Sequence, residues 1–292
     1  MARDLMIGEP EPLISIVIPT YNMEEHIAET LNSVIAQTFQ NWEAIVVDDA
    51  STDRTAEIIQ DLCLQDPRIR YIRLAENSNL PAVGRNRGIK EAAGSYVAFL
   101  DHDDLWEPKK LERQISAMNS DPLIGMVHSH LWVVRNGNRF WGPLYLPAPK
   151  FSIANTTTLA RKNMIQCSSV LIRKSILDEV NGFEESPGLR AVEDYHLWYR
   201  ISQKTGIAYV SEIHGTYRLD KTGTSSLENM QQRLRAVDES LGTQSFENQR
   251  SIRRKAASQL WSLPSALYFV LIEGTMRKRN DRKPRTWVEK AS

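Results

Sequence analysis

Apolar runs that stop abruptly at acids constrain this chain more than any other feature. Tyr96-Val97-Ala98-Phe99-Leu100 runs into Asp101-His102-Asp103-Asp104, and Ala44-Ile45-Val46-Val47 ends at Asp48-Asp49. Short continuous apolar runs of this kind read as strands buried on both faces. Carboxylates at the end of such a strand are costly to bury, and neighbouring ones repel each other. The cluster from Asp101 to Asp104 therefore needs either a cation or open solvent beside it, and alone it does not choose between them. A third strand, Ile14 to Ile18, runs into Pro19-Thr20-Tyr21-Asn22. In open α/β sheets ligands sit beyond the carboxyl ends of the strands. Three such ends would bring Tyr21, Asp49 and the Asp101–Asp104 cluster to one site. An aromatic face, a hydrogen-bond acceptor and hard oxygen donors suited to Mg²⁺ or Mn²⁺ match a base, a ribose and a diphosphate.

Between these strands the apolar spacing is helical. Ile27, Leu31, Val34 and Ile35 mark one face, with Asn22 as a candidate cap and Glu25 placed to complete a capping box. Ile58, Ile59 and Leu62 mark a second helix, followed by a strand at Arg70–Leu74. Arg85 to Ala93 reads as a helix stopped by Gly94, and Pro108 opens another carrying Leu111, Ile115 and Met118. Strands alternating with helices predict an α/β fold, a mostly parallel sheet covered by helices. Near Asp121 the pattern changes. Met126 to Val134 reads as a strand, Asn136-Gly137 as a hairpin turn, and Phe140 to Phe151 as an irregular loop. Cys167 to Ile172 reads as a strand, Lys174 to Val180 as a short helix, and Val192 to Ile201 as a helix that opens with Glu193-Asp194.

Composition excludes several classes. With 36 basic and 36 acidic residues among 292, no global field recruits nucleic acid. Cys63 and Cys167 lie far apart without metal spacing, so reduced structural thiols in a cytoplasmic protein are expected. No signal peptide is read at the N-terminus. The apolar stretch from Leu260 to Ile272 is too short to span a bilayer.

Four blocks, in this order, resemble the family 2 glycosyltransferases. They are Ser15 to Asn22; Val47-Asp48-Asp49-Ala50-Ser51-Thr52-Asp53; Arg85-Asn86-Arg87-Gly88 through Gly94 to Asp104; and Gly182-Phe183 followed by Glu193-Asp194-Tyr195-His196-Leu197-Trp198. The resemblance covers about residues 13 to 226. It implies the GT-A fold, a Rossmann-like, mostly parallel mixed sheet; beyond about Gln231, outside the resemblance, the residue pattern itself reads as a C-terminal helical extension. Residues 1–120 would be the nucleotide-sugar half, 121–230 the acceptor half, and 231–292 the extension and basic tail. By the resemblance, Pro19 and Tyr21 border the base and Asp49 accepts a hydrogen bond from it. Asp101 and Asp103 contact ribose and metal, Asp103 and Asp104 lie nearest an Mn²⁺ or Mg²⁺ ion, and Arg85 approaches the phosphates or shapes that wall. Asp194 is the base that deprotonates the acceptor hydroxyl, with Glu193 in reserve. The partners implied are a nucleotide-diphospho-sugar donor and a saccharide or lipid-linked saccharide acceptor in surface polysaccharide or glycolipid assembly.

Two positions depart from the common family pattern. His196 stands where a further acid is frequent, and Asp220 stands where a His often follows Arg218. Asp220 could serve as an oxygen ligand in its place, or the loop no longer reaches the metal. His214 could compensate, though a surface histidine is the expected reading. His128 and His130 share a strand face, and packing is favoured there over a metal pair. Trp132, Trp141, Tyr145 and Trp198 suit either a sugar-stacking rim or a core. Leu260, Trp261, Leu263, Leu267, Val270 and Leu271 give an apolar helix face before the basic tail. Packing is favoured for that face over peripheral membrane contact. Two rival functions stand beside transfer: a non-catalytic nucleotide-sugar-binding module, and a nucleotidyltransferase. The latter usually needs a glycine-rich phosphate loop, which Pro19-Thr20-Tyr21-Asn22 is not.

Overall fold

The computed structural model describes residues 12–135, 138–140, 151–154, 165–218 and 236–241, all within a compact unit spanning Met1–Phe246. The apolar face from Leu260 to Leu271 and the basic tail lie outside the described residues. So do Trp141, Tyr145 and Asp220.

The first half alternates as its sequence predicts. β1 (Ile14–Thr20) leads to α1 (Ile27–Ile35), β2 (Trp42–Asp48), α2 (Thr55–Gln65), β3 (Ile69–Arg73), α3 (Pro81–Glu91) and β4 (Tyr96–Phe99). After the acidic turn come β5 (Leu105–Trp106), α4 (Lys110–Asn119), β6 (Ile124–Arg135), β7 (Asn138–Phe140) and β8 (Phe151–Ala154). β9 (Val170–Arg173), α5 (Lys174–Glu179), α6 (Glu193–Ser202) and β10 (Gly206–Arg218) complete the described elements, with residues 236–241 helical. One sheet runs β3-β2-β1-β4-β9-β6-β10-β5, with β7 on β6 and β8 on β10. The β3-β2-β1-β4 half is parallel. β9 is antiparallel to both β4 and β6, so the sheet as a whole is mixed.

Residues alternate across a strand, so β1 feeds two cores. Ile14, Ile16 and Ile18 pack with Ile27, Leu31 and Val34 of α1, Ile59 of α2 and Leu111 and Met118 of α4. Val17 packs on the other face with Ile89 of α3, Leu177 of α5 and Leu197, Trp198 and Ile201 of α6. Helices thus cover both faces, which is why the strands are continuously apolar and why their polar ends gather at one edge.

Three local expectations are corrected, and one strand is new. Asn22 does not cap α1. Its backbone is left-handed at φ 46°, and its side-chain oxygen accepts the Thr52 N–H at 2.8 Å, while α1 begins at Ile27 without a side-chain cap. Gly94 does not stop α3, which already ends at Glu91. It lets the chain pass β1: a Cβ there would lie 2.6 Å from the Leu13 carbonyl oxygen and 2.8 Å from the Ser15 nitrogen. Cys167–Ser169 is a 3₁₀ turn rather than the start of a strand. β10 has no counterpart in the sequence reading. The β6–β7 pairing, with Arg135 opposite Asn138, agrees with a two-residue hairpin, although residues 136 and 137 are not described.

Two of the three atoms that a side chain at Gly94 would strike, the Leu13 carbonyl oxygen and the Ser15 nitrogen, are backbone and cannot rotate away. Gly94→Ala is therefore expected to destabilise the fold by about 1–3 kcal/mol, the usual cost of overpacking. A urea titration checks this, and an unchanged midpoint would contradict it.

Candidate active site

The strand ends at the edge of the parallel half hold the acids. The two at the end of β2 do different work. Asp48 is fully buried and accepts from the Ser51 N–H at 2.9 Å, the Tyr71 hydroxyl at 2.6 Å and the Arg73 guanidinium at 2.9 Å. It is saturated and structural. Asp49 points to the next loop, where it takes the Ser78 N–H at 2.8 Å and the Ser78 hydroxyl at 3.0 Å. Pro19 is half-buried at the end of β1. Tyr21 just beyond is 40% exposed, and its N–H faces His102 Nδ1 at 3.3 Å, so the aromatic ring and the acidic turn share a rim.

The acidic turn is held from several sides. Asp101 N–H donates to the Ser168 hydroxyl at 3.0 Å, and that hydroxyl donates to Asp104 at 2.5 Å. The second Asp104 oxygen accepts the Arg218 N–H at 3.0 Å from the end of β10. Asp104 is fully buried; burial, with Asp103 and Asp101 alongside, holds its pKa well above the carboxylate range. The expectation that Asp103 and Asp104 share a cation thus meets an Asp104 whose two oxygens are already engaged. Asp101 and Asp103 keep partial exposure.

Arg85 does more than line a wall. Buried on α3, it donates to Asp101 at 2.7 Å and to Glu193 at 2.8 Å. Its guanidinium lies 5.3 Å from the centre of the Phe183 ring. It therefore ties the acidic turn to the first residue of α6. Asn86, its neighbour, exchanges hydrogen bonds with the Phe183 backbone, both at 2.8 Å. Gly182 makes that exchange possible: its backbone is left-handed at φ 61°, and a Cβ would lie 2.6 Å from the Asn86 oxygen. Two sequence blocks almost a hundred residues apart (a separation of 97) thus meet directly.

At the start of α6, Glu193 is buried with one oxygen on Arg85. Asp194 is half-buried and accepts only the Tyr195 N–H among the hydrogen bonds resolved for it, at 2.6 Å. Burial, and next the charge of Glu193, pushes the Asp194 pKa up to about 7. A carboxyl poised there can exchange a proton near neutral pH, whereas Glu193 is committed to its ion pair. Tyr217, beside Asp104, Asp101, Asp103 and Asp194, has its phenol pKa raised by burial and by those four charges. Nothing in the sequence had singled out Tyr217.

The remaining candidates resolve into packing. His128 and His130 both lie against Tyr209, with ring centres 5.1 and 4.8 Å away. Burial lowers their pKa values to about 3 and about 4. His214 is not on the surface: it is 2% exposed, with Nε2 3.3 Å from Glu212. His196 is buried with Nε2 3.1 Å from the Ser240 hydroxyl, and burial lowers its pKa to about 4. Trp198 is core, packed on Phe99 and Phe183, while Trp132 is half-buried.

The donor set suits a hard divalent ion. Asp101 and Glu193 pair with the buried Arg85 guanidinium, Asp194 lies within reach of all three, and Asp103 and Asp104 stand beside Asp101, so the carboxyl groups outnumber that cation. Among the described residues no three His, Cys, Asp or Glu side chains are arranged to hold a metal by themselves. A Mg²⁺-type ion needs only one or two carboxylates when substrate phosphates supply the rest.

Known proteins share this architecture. The family described as glycosyl transferase family 2 matches residues 15–180. TuaG of Bacillus subtilis, whose name assigns it to teichuronic acid biosynthesis, is 35% identical over 219 residues, covering 74% of this chain and 82% of TuaG. The UDP-Glc:alpha-D-GlcNAc-diphosphoundecaprenol beta-1,3-glucosyltransferase WfgD of Escherichia coli is 32% identical, covering 73% of this chain and 80% of its own. The crystal structure of S. aureus TarS 1-349 with UDP-GlcNAc matches with a TM-score of 0.62 at 23% identity, over 77% of this chain and 65% of that one. The mannosyltransferase PcManGT of Pyrobaculum calidifontis, solved with GDP-Man and Mn²⁺, matches with a TM-score of 0.57 at 17% identity, over 91% of this chain and 81% of that one. No helix among the described residues is long and apolar enough to cross a membrane. With the acids of two strand ends and Tyr21 of a third at one edge of a GT-A sheet, and the family matched over more than half of this chain, the chain belongs to glycosyl transferase family 2.

Proposed function

We propose that the chain moves a sugar from a nucleotide-diphospho-sugar to a hydroxyl of a saccharide or lipid-linked saccharide acceptor, with inversion, during assembly of a cell-surface polysaccharide. One observation carries this reading. Asp194, with a pKa near neutrality, is linked through its neighbour Glu193 and Arg85 to Asp101 on the donor side. In this reading the proton acceptor and the diphosphate-binding edge are joined through the Arg85 bridge.

In this mechanism Tyr21 and Pro19 border the nucleotide base and Asp49 closes that side through Ser78. Asp101 and Asp103 would hold a Mn²⁺ or Mg²⁺ ion, and the buried Asp104 fixes the turn that carries them. The ion, when bound, supplies a Lewis acid for the charge that grows on the leaving diphosphate. Arg85 holds Asp101 and Glu193 in place. Asp194 takes the proton from the acceptor hydroxyl as its oxygen attacks the anomeric carbon. A single displacement with one base inverts that carbon. WfgD is named for transfer to a diphosphoundecaprenol-linked sugar, and PcManGT was solved with a nucleotide-sugar and Mn²⁺; both support the substrate classes proposed.

The base must be unprotonated to act. A pKa raised to about 7 therefore places the acidic limb of kcat/KM near neutrality, with activity rising as pH increases through it. A profile of kcat/KM from about pH 4.5 to about pH 8.5 checks this. A plateau extending below about pH 5, where an ordinary carboxylate would still be ionised, would contradict it.

A further inference from the structure

Ser168 belongs to no block that carries the family resemblance, yet it is the most connected residue behind the acidic turn. It is 1% exposed and contacts three positions of one short loop. Its hydroxyl accepts the Asp101 N–H at 3.0 Å and donates to Asp104 at 2.5 Å. Its carbonyl accepts the Trp106 indole N–H at 2.8 Å. A hydroxyl has one proton and two lone pairs, so its two contacts are compatible. Asp103 lies inside the span that these bonds pin at both ends.

The support is itself held firmly. The Ser169 carbonyl accepts from the Gln114 amide at 2.7 Å, and the Val170 carbonyl from the Lys110 ammonium at 3.0 Å. Both side chains are fully buried on α4. Three successive carbonyls are thus captured by side chains from β5 and α4. The hydroxyl is presented from a fixed backbone.

We propose that Ser168 is a positioning residue for the divalent-cation turn, setting where Asp103 presents its oxygens by clamping Asp101 and Asp104 on either side. The inference rests on the metal-dependent transfer reading above. Supporting hydrogen bonds of this kind typically change metal affinity by about 10–100-fold when removed.

The test is calorimetry of UDP and GDP binding across a Mn²⁺ titration, on the full chain, with urea unfolding measured in chelator. Ser168→Ala is expected to raise the Mn²⁺ concentration for half-maximal binding by about 10–100-fold. Trp106→Phe, which removes the indole donor to the Ser168 carbonyl together with part of the buried ring under Lys110, should shift it in the same direction by less. It carries the test alone should the alanine variant not fold. Variants that unfold more easily but take Mn²⁺ at the wild-type concentration would overturn the proposal, since Ser168 would then merely support the fold. Wild-type protein whose nucleoside diphosphate binding ignores Mn²⁺ would overturn the transfer reading, and this inference with it.

Discussion

Asp194→Asn is expected to bind donor as the wild type does and to lose about 10²–10⁴-fold in turnover, the usual contribution of a general base. The substitution keeps size and removes the ability to take a proton. It should leave the Arg85 bridge to Asp101 and Glu193 intact, because Asp194 takes no part in it. Donor affinity is thereby separated from chemistry. Turnover at saturating donor and acceptor is the measurement. Near wild-type turnover would remove the base assignment from Asp194. Glu193 is then the residue to examine, although its carboxylate is tied to a buried guanidinium.

The second large effect concerns the acidic turn. Asp103→Asn should weaken Mn²⁺-dependent nucleoside diphosphate binding by more than the roughly 10–100-fold that loss of a supporting hydrogen bond causes. Asp104→Asn should do less. Asp104 is fully buried with both oxygens engaged, and an amide oxygen can still accept the Arg218 N–H. Calorimetry with and without chelator ranks the two. The reverse order would make Asp104 the ligand and Asp103 the spectator.

Much of this arrangement was legible because it is local. An apolar run that ends in acid is visible residue by residue, and β1, β2 and β4 end at Thr20, Asp48 and Phe99, each within two residues of the expected site groups. Glu193-Asp194 at a helix start was equally plain. What escaped depends on partners remote in sequence. Asn22 has the chemistry of a helix cap, but a nearby loop claims its side chain through Thr52. Cys167–Ser169 has strand-like composition, but side chains of Trp106, Gln114 and Lys110 capture the carbonyls of the turn and of the strand it enters. β10 carries register shifts between Val210 and Ile213 and again before Thr216, which break the period that would have marked it. His214 read as a surface residue because nothing local shows that its strand lies between β6 and β5. Arg85 could be expected near the phosphates, but its bridge to Glu193 spans 108 positions and is set by the fold alone.

The central claim is that donor-binding acids and an acceptor base form one transfer site. The most direct test follows nucleoside diphosphate release from a panel of nucleotide-sugars, with Mn²⁺ or chelator, and with or without a polyprenyl-diphospho-saccharide acceptor. The account predicts release from at least one donor that rises when acceptor is added, is abolished by chelator and is lost in Asp194→Asn. Tight donor binding without acceptor-stimulated release from any donor would contradict it, and would leave a nucleotide-sugar-binding module in its place.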